Sequence, residues 1–510
     1  MIIKNSVKLN VVLIFSILIL IYFISEYFYF RLDFTGDKRY TLSKATKSIL
    51  SELRETVTIK AYFSKDLPPE VARVREEFKD LLNEYAFYSK HKIEYEFINP
   101  NENEELEQKA QQEGIRPIMI NVRERDQVTQ QRVYLGAVIY LFEKKEVVPF
   151  VQPNSSIEYS LSSSIKKLKI ENKPLIGFLQ GNGEPQLSSM PQLMEQLSVM
   201  YQVDTLSLHS DKSIPDNVKV LIVASPRDSI REIQKKQIED FLHNNGRILF
   251  ALNFIEGDFS TATGNGVDLG IENWFENYNI KIDKSFLIDA NCSSVMARQQ
   301  QGMFVVNTPI NFPYIPIISK FSEHPVSAGL EAVLMPFVSP IKIVNNNKNI
   351  SVLPLLFSSD KSGIEKTPVY FNISKEWSEK DFNKSSQIVG AAVESKNKSG
   401  KGFKLVVFSD GDFFVNGEGQ QAQQLQPDNI NLFSNAVDWL ADDTGLIELR
   451  TKSVTSRPIN ANLDETTKSF IKYFNFLLPI FLVVAYGIYR YRKNKFVRNQ
   501  IQKIEYVKEK

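Results

Sequence analysis

Two long apolar segments lie near the ends of the chain and predict membrane-spanning helices. The first, residues 11–30, reads VVLIFSILILIYFISEYFYF and follows a short polar stretch, residues 1–10. As a helix it would extend about 30 Å, the thickness of a hydrocarbon core. A cleaved signal peptide is the alternative, but no small-residue cleavage site follows, because Arg31, Leu32 and Asp33 come next. This favours an uncleaved anchor.

The second apolar segment, residues 470–489, contains YFNFLLPIFLVVAYGIY and is flanked by aromatic residues. A buried core helix is the alternative, but a basic tail, residues 490–510, follows directly. Its cations are Arg490, Arg492, Lys493, Lys495 and Arg498. Cations beside an apolar segment mark the cytoplasmic side, and Lys4 and Lys8 give the first helix the same orientation. We therefore expect both termini in the cytoplasm of a bacterial inner membrane and a periplasmic body between the two helices.

The first part of the body, residues 31–171, alternates between strand and helix patterns. TVTIKAYFS and KIEYEFIN alternate apolar and polar residues like strands, and apolar residues at helical spacing separate them. Further elements are predicted as a helix at 102–113, strands at 117–123 and 133–142, an apolar stretch at 147–151 and a helix at 156–169. The order β-α-β-α-β-β-α is similar to that of a thioredoxin-like unit. Without a C-x-x-C motif, we expect no redox chemistry from it.

The second part of the body, residues 172–445, has the pattern of a doubly wound α/β sheet. The apolar segments PLIGFLQG, VKVLIVASP and RILFALN read as buried strands, with helices predicted at 189–200 and 229–244. The pattern resumes with GFKLVVFSDGDFF and a helix at 429–440. Residues 290–400, rich in Asn, Ser and Pro, are expected to form excursions around the sheet. Residues 446–469 would lead back to the membrane.

Composition narrows the function classes. The 510 residues carry a formal net charge of +1, which gives no electrostatic case for nucleic-acid binding. The single cysteine, Cys292, excludes an intramolecular disulfide framework and a cysteine metal cluster. The four histidines are His91, His209, His243 and His324, and no two have metal-ligand spacing. We therefore expect no metal site and no cofactor.

A glycine loop after a predicted strand is one candidate ligand site. Its residues are Gly181, Asn182, Gly183 and Glu184, and the loops after such strands commonly bind anions or nucleotides. The G-x-G-x-x-G motif is incomplete because position 186 is glutamine, and no Walker motif occurs. A tight strand-to-helix turn is the favoured explanation of the glycines.

A second candidate is the acidic pair Asp410 and Asp412 at the end of the last predicted strand, with Glu418 nearby. These carboxylates could act as acid or base or hold a metal, although D-G-D is also ordinary turn chemistry. The chain has no G-x-S-x-G motif, and Cys292 lies in a polar NCSS stretch without a neighbouring histidine. This inventory fits binding or scaffolding better than catalysis.

An ordered series of segments resembles the GldG family, the gliding-motility-associated auxiliary or substrate-binding component of an ABC transporter. The segments are RYTLSKATKSIL, TVTIKAYFS, GAVIYLFEKKEVVPFV, KPLIGFLQGNGEP, VKVLIVASPRDSI, GRILFALN, EHPVSAGL, KLVVFSDGDFF and NLFSNAVDWL. The resemblance implies a flavodoxin-like or glutamine-amidotransferase-like central fold without the catalytic Cys-His pair. Many relatives read G-H-G-E where this chain has Asn182.

The resemblance implies a non-catalytic subunit of an ABC-2-type transporter that acts with an ABC permease and a separate ATPase, in gliding motility or envelope export. Small or polar residues in the two terminal helices are candidate permease contacts, namely Ser16, Ser25, Ala485 and Gly487. Two alternatives stay open. One is an envelope hydrolase-like enzyme using Asp410, Asp412 or Glu184, and the other is a structural scaffold of a motility or secretion machine. The sequence does not specify whether the cargo is a small molecule or a polymer.

Overall fold

The computed structural model describes most of the chain between the two apolar segments, together with the second apolar segment. The described residues are 13, 15–17, 19–20, 41–65, 67–124, 127–151, 156–169, 173–208, 213–301, 304–344, 346–395, 402–419, 422–451 and 465–508. The chain divides into two compact units, residues 1–453 and 454–510. In the predicted first membrane helix, the described positions 13, 15–17 and 19–20 are helical and exposed. The rest of that helix lies outside the described residues.

The first part of the larger unit is built on a four-stranded sheet. Its elements are α1 (Lys44–Ser51), β1 (Val57–Phe63), α2 (Pro69–Tyr88), β2 (Ile93–Ile98), α3 (Glu104–Gln112), β3 (Ile118–Glu124), β4 (Gln127–Val133), β5 (Leu135–Leu141), β6 (Lys144–Val148) and α4 (Ile157–Lys169). The strand order is β2-β1-β5-β6, with β1 parallel to β2 and antiparallel to β5. Alternate β1 residues, Val57, Ile59 and Ala61, pack against α1, α2 and α4 in one apolar core.

One strand of this sheet region was not predicted. Residues 127–133 form β4, which pairs with β3 in an antiparallel hairpin separate from the four-stranded sheet. The strand expected at 133–142 corresponds to β5, Leu135–Leu141, whereas β4, which ends at Val133, was not predicted. The sequence of β4, QVTQQRV, lacks the apolar alternation that marks a half-buried strand.

The second part of the larger unit is built on a ten-stranded mixed sheet. Its first elements are β7 (Leu175–Gln180), α5 (Pro191–Ser198), β8 (Gln202–Ser207), β9 (Val218–Ala224), α6 (Glu232–His243), β10 (Arg247–Ala251), β11 (Ile255–Asp258), β12 (Thr263–Gly266), α7 (Glu272–Glu276), β13 (Ile280–Ile282) and β14 (Ser285–Asp289). The remaining elements are β15 (Cys292–Gln301), β16 (Phe304–Ile318), β17 (Lys320–Phe321), β18 (Val333–Leu334), β19 (Ile341–Ile343), β20 (Ile350–Phe357), β21 (Ser362–Lys366), β22 (Val369–Tyr370), β23 (Ile388–Ser395), β24 (Lys404–Phe408) and α8 (Pro427–Ala441).

The sheet order is β13-β19-β23-β24-β10-β9-β7-β8, and β24, β10, β9, β7 and β8 are mutually parallel. Along β9 the side chains alternate between two cores. Val220 and Ile222 pack in the core that contains α5 and α8, whereas Leu221 and Val223 pack in the core that contains α6 and α7. Helices therefore cover both faces of the parallel strands, and both faces are apolar.

Residues 290–400, which were expected to form excursions around the sheet, are in part strands of the sheet itself. Strand β23 pairs with β24 from Gly390 to Glu394, and β20 pairs with β23, so the region adds antiparallel strands to one edge of the sheet. Strands β17 and β19 also belong to the sheet, whereas another part of the region lies off it. It includes the long β15–β16 hairpin and an aromatic cluster around Phe286, Phe312 and Phe371. Strands β20 and β23 do not alternate strictly between apolar and polar residues, so the sequence pattern did not identify their pairing.

The smaller unit contains one long helix, α9 (Glu465–Lys508), with Pro479 inside it. Among the described residues, the segment Thr466–Gln500 is long and apolar enough to cross a membrane. The predicted segment 470–489 lies within it. The helix does not end at the basic tail but continues through Arg490 and Arg498.

Candidate ligand-binding site

The loops that follow four parallel strands of the ten-stranded sheet meet at the carboxyl ends of those strands. Strands β7, β9, β10 and β24 end at Gln180, Ala224, Ala251 and Phe408. The helix after β7 packs on one face of the sheet and the helix after β9 packs on the other, so the connections diverge between β7 and β9. Such a divergence point, at the carboxyl ends of the strands, is where open α/β sheets form ligand crevices.

The Gly181–Glu184 loop closes on itself. The Asn182 backbone N–H donates to Glu184 Oε2 at 2.7 Å, and Asn182 Nδ2 donates to Glu184 Oε1 at 3.1 Å. Both side chains are buried. Gly181 and Gly183 have φ of +119° and +77°, which side-chain-bearing residues rarely adopt. The polar groups of the loop are therefore largely engaged by each other.

The same loop is bound to the turn after β9. The Asn182 carbonyl accepts hydrogen bonds from the backbone N–H groups of Arg227 (2.9 Å) and Asp228 (2.8 Å). A Cβ at Gly183 would lie 3.1 Å from the Cβ of Arg227. The two loops that flank the divergence point are thus joined, and the Gly181–Glu184 loop positions the Arg227 backbone.

Asp412 lies at the centre of a polar network at the ends of β9, β10 and β24. Ser225 Oγ donates to Asp412 Oδ1 at 2.8 Å, and Asn253 Nδ2 donates to Asp412 Oδ2 at 2.7 Å. Asn253 Oδ1 also accepts from the Gly411 N–H at 2.6 Å. Ser225 has a positive φ of +47°, a conformation that is uncommon outside glycine and often found at functional sites. Asp412 itself is exposed.

Asp410, two residues earlier, is in the opposite environment. Its side chain is fully buried, its Oδ1 accepts from the Asp412 N–H at 2.7 Å, and its Oδ2 has no hydrogen-bond partner among the described residues. Burial, together with the nearby Asp412 charge, raises the pKa of Asp410 well above its usual range. The two aspartates therefore differ sharply: Asp412 is presented to solvent, whereas Asp410 is in the core.

A cavity of about 410 Å³ opens beside Asp412. Its wall includes Ser225, Arg227, Asn253, Glu256, Phe337 and Asp412. Of the predicted ligand-site residues, only Asp412 lines it, and the Gly181–Glu184 loop reaches it through the Arg227 backbone. Sequence reasoning missed Ser225, which directly follows β9, and Asn253, which is the second residue after β10. Their place after apolar strands is the signal that could have identified them.

The other candidate residues lie elsewhere. Glu418 is exposed beyond Asp412. Cys292 begins β15, and partial burial followed by the Asp289 charge raises its thiol pKa. Within the described ranges, no group of three or more His, Cys, Asp or Glu side chains is placed to hold a metal ion. Ser16, Ala485 and Gly487 are exposed, and Ser25 lies outside the described residues.

Comparison with solved structures gives weak likenesses over about half of the chain. An mmIFT52 N-terminal domain is 16% identical, with a TM-score of 0.35, covering 52% of this chain and 96% of that domain. A putative ThuA-like protein from Parabacteroides merdae is 12% identical, with a TM-score of 0.29, covering 53% and 90%. PurLQS from Thermotoga maritima is 11% identical, with a TM-score of 0.29, covering 53% and 100%. These TM-scores are too low to establish a shared fold.

Sequence comparisons extend over more of the chain. A protein from Borreliella burgdorferi, described as uncharacterized, is 24% identical over 96% of this chain and 99% of its own length. Residues 36–140 match a domain of unknown function. Residues 173–442, more than half of the chain, match the family model described as an ABC-type uncharacterized transport system. The chain therefore belongs to this family of ABC transporter auxiliary components.

Proposed function

We propose that this chain is a membrane-anchored, non-catalytic subunit of an ABC-2-type transporter, in which a permease and a separate ATPase are its partners. The observation that carries the proposal is helix α9. Its apolar part is exposed along its length and is followed by Arg490, Arg492 and Lys493. An exposed apolar helix with cations at one end is suited to a bilayer and to contact with other membrane helices.

The proposed topology places both termini in the cytoplasm and the body in the periplasm, with a second anchor at residues 11–30. Ser16, Ser25, Ala485 and Gly487 are the proposed permease contacts. Ala485 and Gly487 are two positions apart, about 200° around the helix axis, so they would face different neighbours. No heavy atom lies within 4 Å of a Cβ placed on Gly487, which leaves room for close approach of a partner helix.

The body would receive, guide or gate the cargo. The strand order β2-β1-β5-β6, with parallel β1–β2 and antiparallel β1–β5 pairs, supports a thioredoxin-like unit over residues 31–171. The five parallel strands with helices on both faces support a flavodoxin-like or amidotransferase-like domain over residues 172–445. Membership of the GldG branch, and with it a role in gliding motility or envelope export, is the finer form of the same proposal.

The test is a mild-detergent pull-down of the tagged full-length protein from its native membrane, with mass spectrometry of the bound proteins. We expect a multi-span permease and a Walker-motif ATPase in amounts comparable to the bait. A variant with Gly487→Leu should lose the permease, since a bulky side chain blocks close helix contact, while the exposed-surface variant Lys236→Gln should keep it. Recovery of the intact, folded bait without either partner would overturn the proposal and favour a structural role in another machine.

A further inference from the structure

The cavity beside Asp412 carries opposite charges that have no ion-pair partner among the described residues. Arg227 and Glu256 both line it and both are exposed, and neither forms an ion pair with any residue that the structure describes. A cation and a carboxylate left free in one cavity are available to a ligand.

The Asp412 carboxylate is fixed before any ligand arrives. Ser225 Oγ and Asn253 Nδ2 each donate to one of its oxygens, and each oxygen keeps a further acceptor site, because a carboxylate can accept about four hydrogen bonds. Asn253 is itself fixed by the Gly411 N–H. A rigid, solvent-facing carboxylate that already holds two neutral donors is suited to a ligand ammonium group, and the Glu256 carboxylate adds to that preference.

Arg227 supplies the complementary charge. Its backbone is held by the Asn182 carbonyl, so its guanidinium projects from a fixed point on the cavity wall. A guanidinium pairs with a carboxylate through two parallel hydrogen bonds. The remaining wall is apolar or aromatic and includes Val267, Pro336 and Phe337. Phe337 belongs to a packed group of rings, with Phe371 stacked 5.5 Å away, so its face is rigid.

We propose that this cavity binds a small zwitterion, a solute that carries both a protonated amine and a carboxylate, of the size of an amino acid or a short peptide. The amine contacts Asp412 and Glu256, the carboxylate contacts Arg227, and the body of the ligand packs on Phe337. A cavity of about 410 Å³ is within the range of small-molecule sites, roughly 300–1,000 Å³. The inference rests on the proposed function, because it names the solute class that the transporter body would receive.

The test is calorimetry on the full-length protein in lipid nanodiscs. The probes are L-leucine, L-phenylalanine, L-glutamate, L-lysine and dialanine, each compared with its N-acetyl and methyl-ester derivatives. We expect at least one free probe to bind with a dissociation constant below about 1 mM. Both blocked forms of that probe should bind about tenfold more weakly, since each lacks one of the two charges.

Variants assign each charge to its partner. Arg227→Gln should remove the preference for the free probe over its methyl ester, and Glu256→Gln should reduce the preference over the N-acetyl form. Asp412→Asn should reduce the preference for the free probe over its N-acetyl form further than Glu256→Gln does. The matched control is Lys236→Gln, which removes an exposed cation of α6 outside the cavity and should leave binding unchanged.

Two results would overturn the inference: no binding by any probe to the folded protein, or equal binding of the free and blocked forms. Failure of the proposed function is a separate outcome, because it is read from the permease and ATPase in the pull-down. An intact transporter complex that binds none of the zwitterions would contradict the zwitterion site and leave the proposed function standing.

Discussion

Asn253 and Asp412 lie 159 residues apart in the chain and are joined by a 2.7 Å hydrogen bond from Asn253 Nδ2 to Asp412 Oδ2. The same asparagine accepts from the Gly411 N–H at 2.6 Å and approaches Ser225 Oγ at 3.3 Å. One side chain at the end of β10 therefore ties together the loops that follow β9 and β24. Asn253 also lines the cavity, together with Ser225 and Asp412.

Asn253→Ala should lower the free energy of unfolding by about 2–3 kcal/mol, because it leaves the buried Gly411 N–H without an acceptor and frees Asp412. Chemical denaturation of the detergent-solubilised protein measures the change. Asn265→Ala is the control, since Asn265 is exposed on β12, and it should change stability by less than about 0.5 kcal/mol. Equal effects of the two substitutions would show that the Asn253 network contributes little.

Asp410→Asn should raise the melting temperature at pH 7. Burial raises the pKa of Asp410, so its folded-state pKa is above its unfolded value, and its stabilising contribution at low pH is lost as pH rises. Asparagine keeps an oxygen for the Asp412 N–H and removes the buried charge. The gain should disappear below about pH 3.8, where the unfolded chain also binds the proton. Asp240→Asn, at an exposed position of α6, should show no such gain.

His324 should make the fold sensitive to mild acid. Burial, followed by the Lys404 charge, lowers its pKa from 6.5 to about 4. This pKa is below the value in the unfolded chain, so neutral His324 contributes to the free energy of unfolding. The contribution is complete above pH 6.5 and is lost as pH falls toward 4, with a maximum of about 3 kcal/mol. His324→Gln should flatten stability over this range in denaturation at several pH values. His243→Gln, at an exposed position, should leave the slope as it is in the unsubstituted protein.

Gly183→Ala should destabilise the protein by more than Gly329→Ala. Both glycines have positive φ, +77° and +80°, so alanine costs about 1–2 kcal/mol of backbone strain at either position. At Gly183 the added Cβ also lies 3.1 Å from the Arg227 Cβ, whereas nothing lies within 4 Å at Gly329. Thermal unfolding compares the two. Similar losses would mean that the joined loops separate without cost.

The proposed topology is testable with thiol labels, since Cys292 is the only cysteine. In a Cys292→Ser background, Met296→Cys places a thiol on β15, where the native side chain is 66% exposed. A membrane-impermeant maleimide should label it in intact spheroplasts. Arg498→Cys should be labelled only after the membrane is permeabilised. The reverse labelling pattern would contradict a periplasmic body with a cytoplasmic carboxyl terminus.

Strongly patterned elements could be predicted from the sequence, and weakly patterned ones could not. The helix expected at 156–169 is Ile157–Lys169, and the one expected at 429–440 is Pro427–Ala441. Strand β4 and the strands of residues 290–400 were missed, because few of their residues alternate between apolar and polar and their pairing is long-range.

The candidate site was predicted only in part. Asp412 was identified from its place at the end of a strand, and the same rule applied to β9 and β10 would have added Ser225 and Asn253. What the sequence does not contain is the strand order, which alone shows that the loops after β9, β10 and β24 are neighbours. The sequence also does not specify the different environments of Asp410 and Asp412. The side chains of two residues that are two positions apart in a turn can face opposite directions, and only the packing decides which one is buried.

Helix α9 continues past the end of its apolar part at Tyr489 and ends at Lys508. Residues 490–508 add about 28 Å of continuous helix beyond Tyr489. In the proposed topology this extension is a continuous helix on the cytoplasmic side that reaches past the lipid headgroups. A tilt of about 10° at Arg490 would move its far end by about 5 Å. In that topology, a change of helix tilt in the membrane would be carried to the cytoplasmic end of the chain as a displacement.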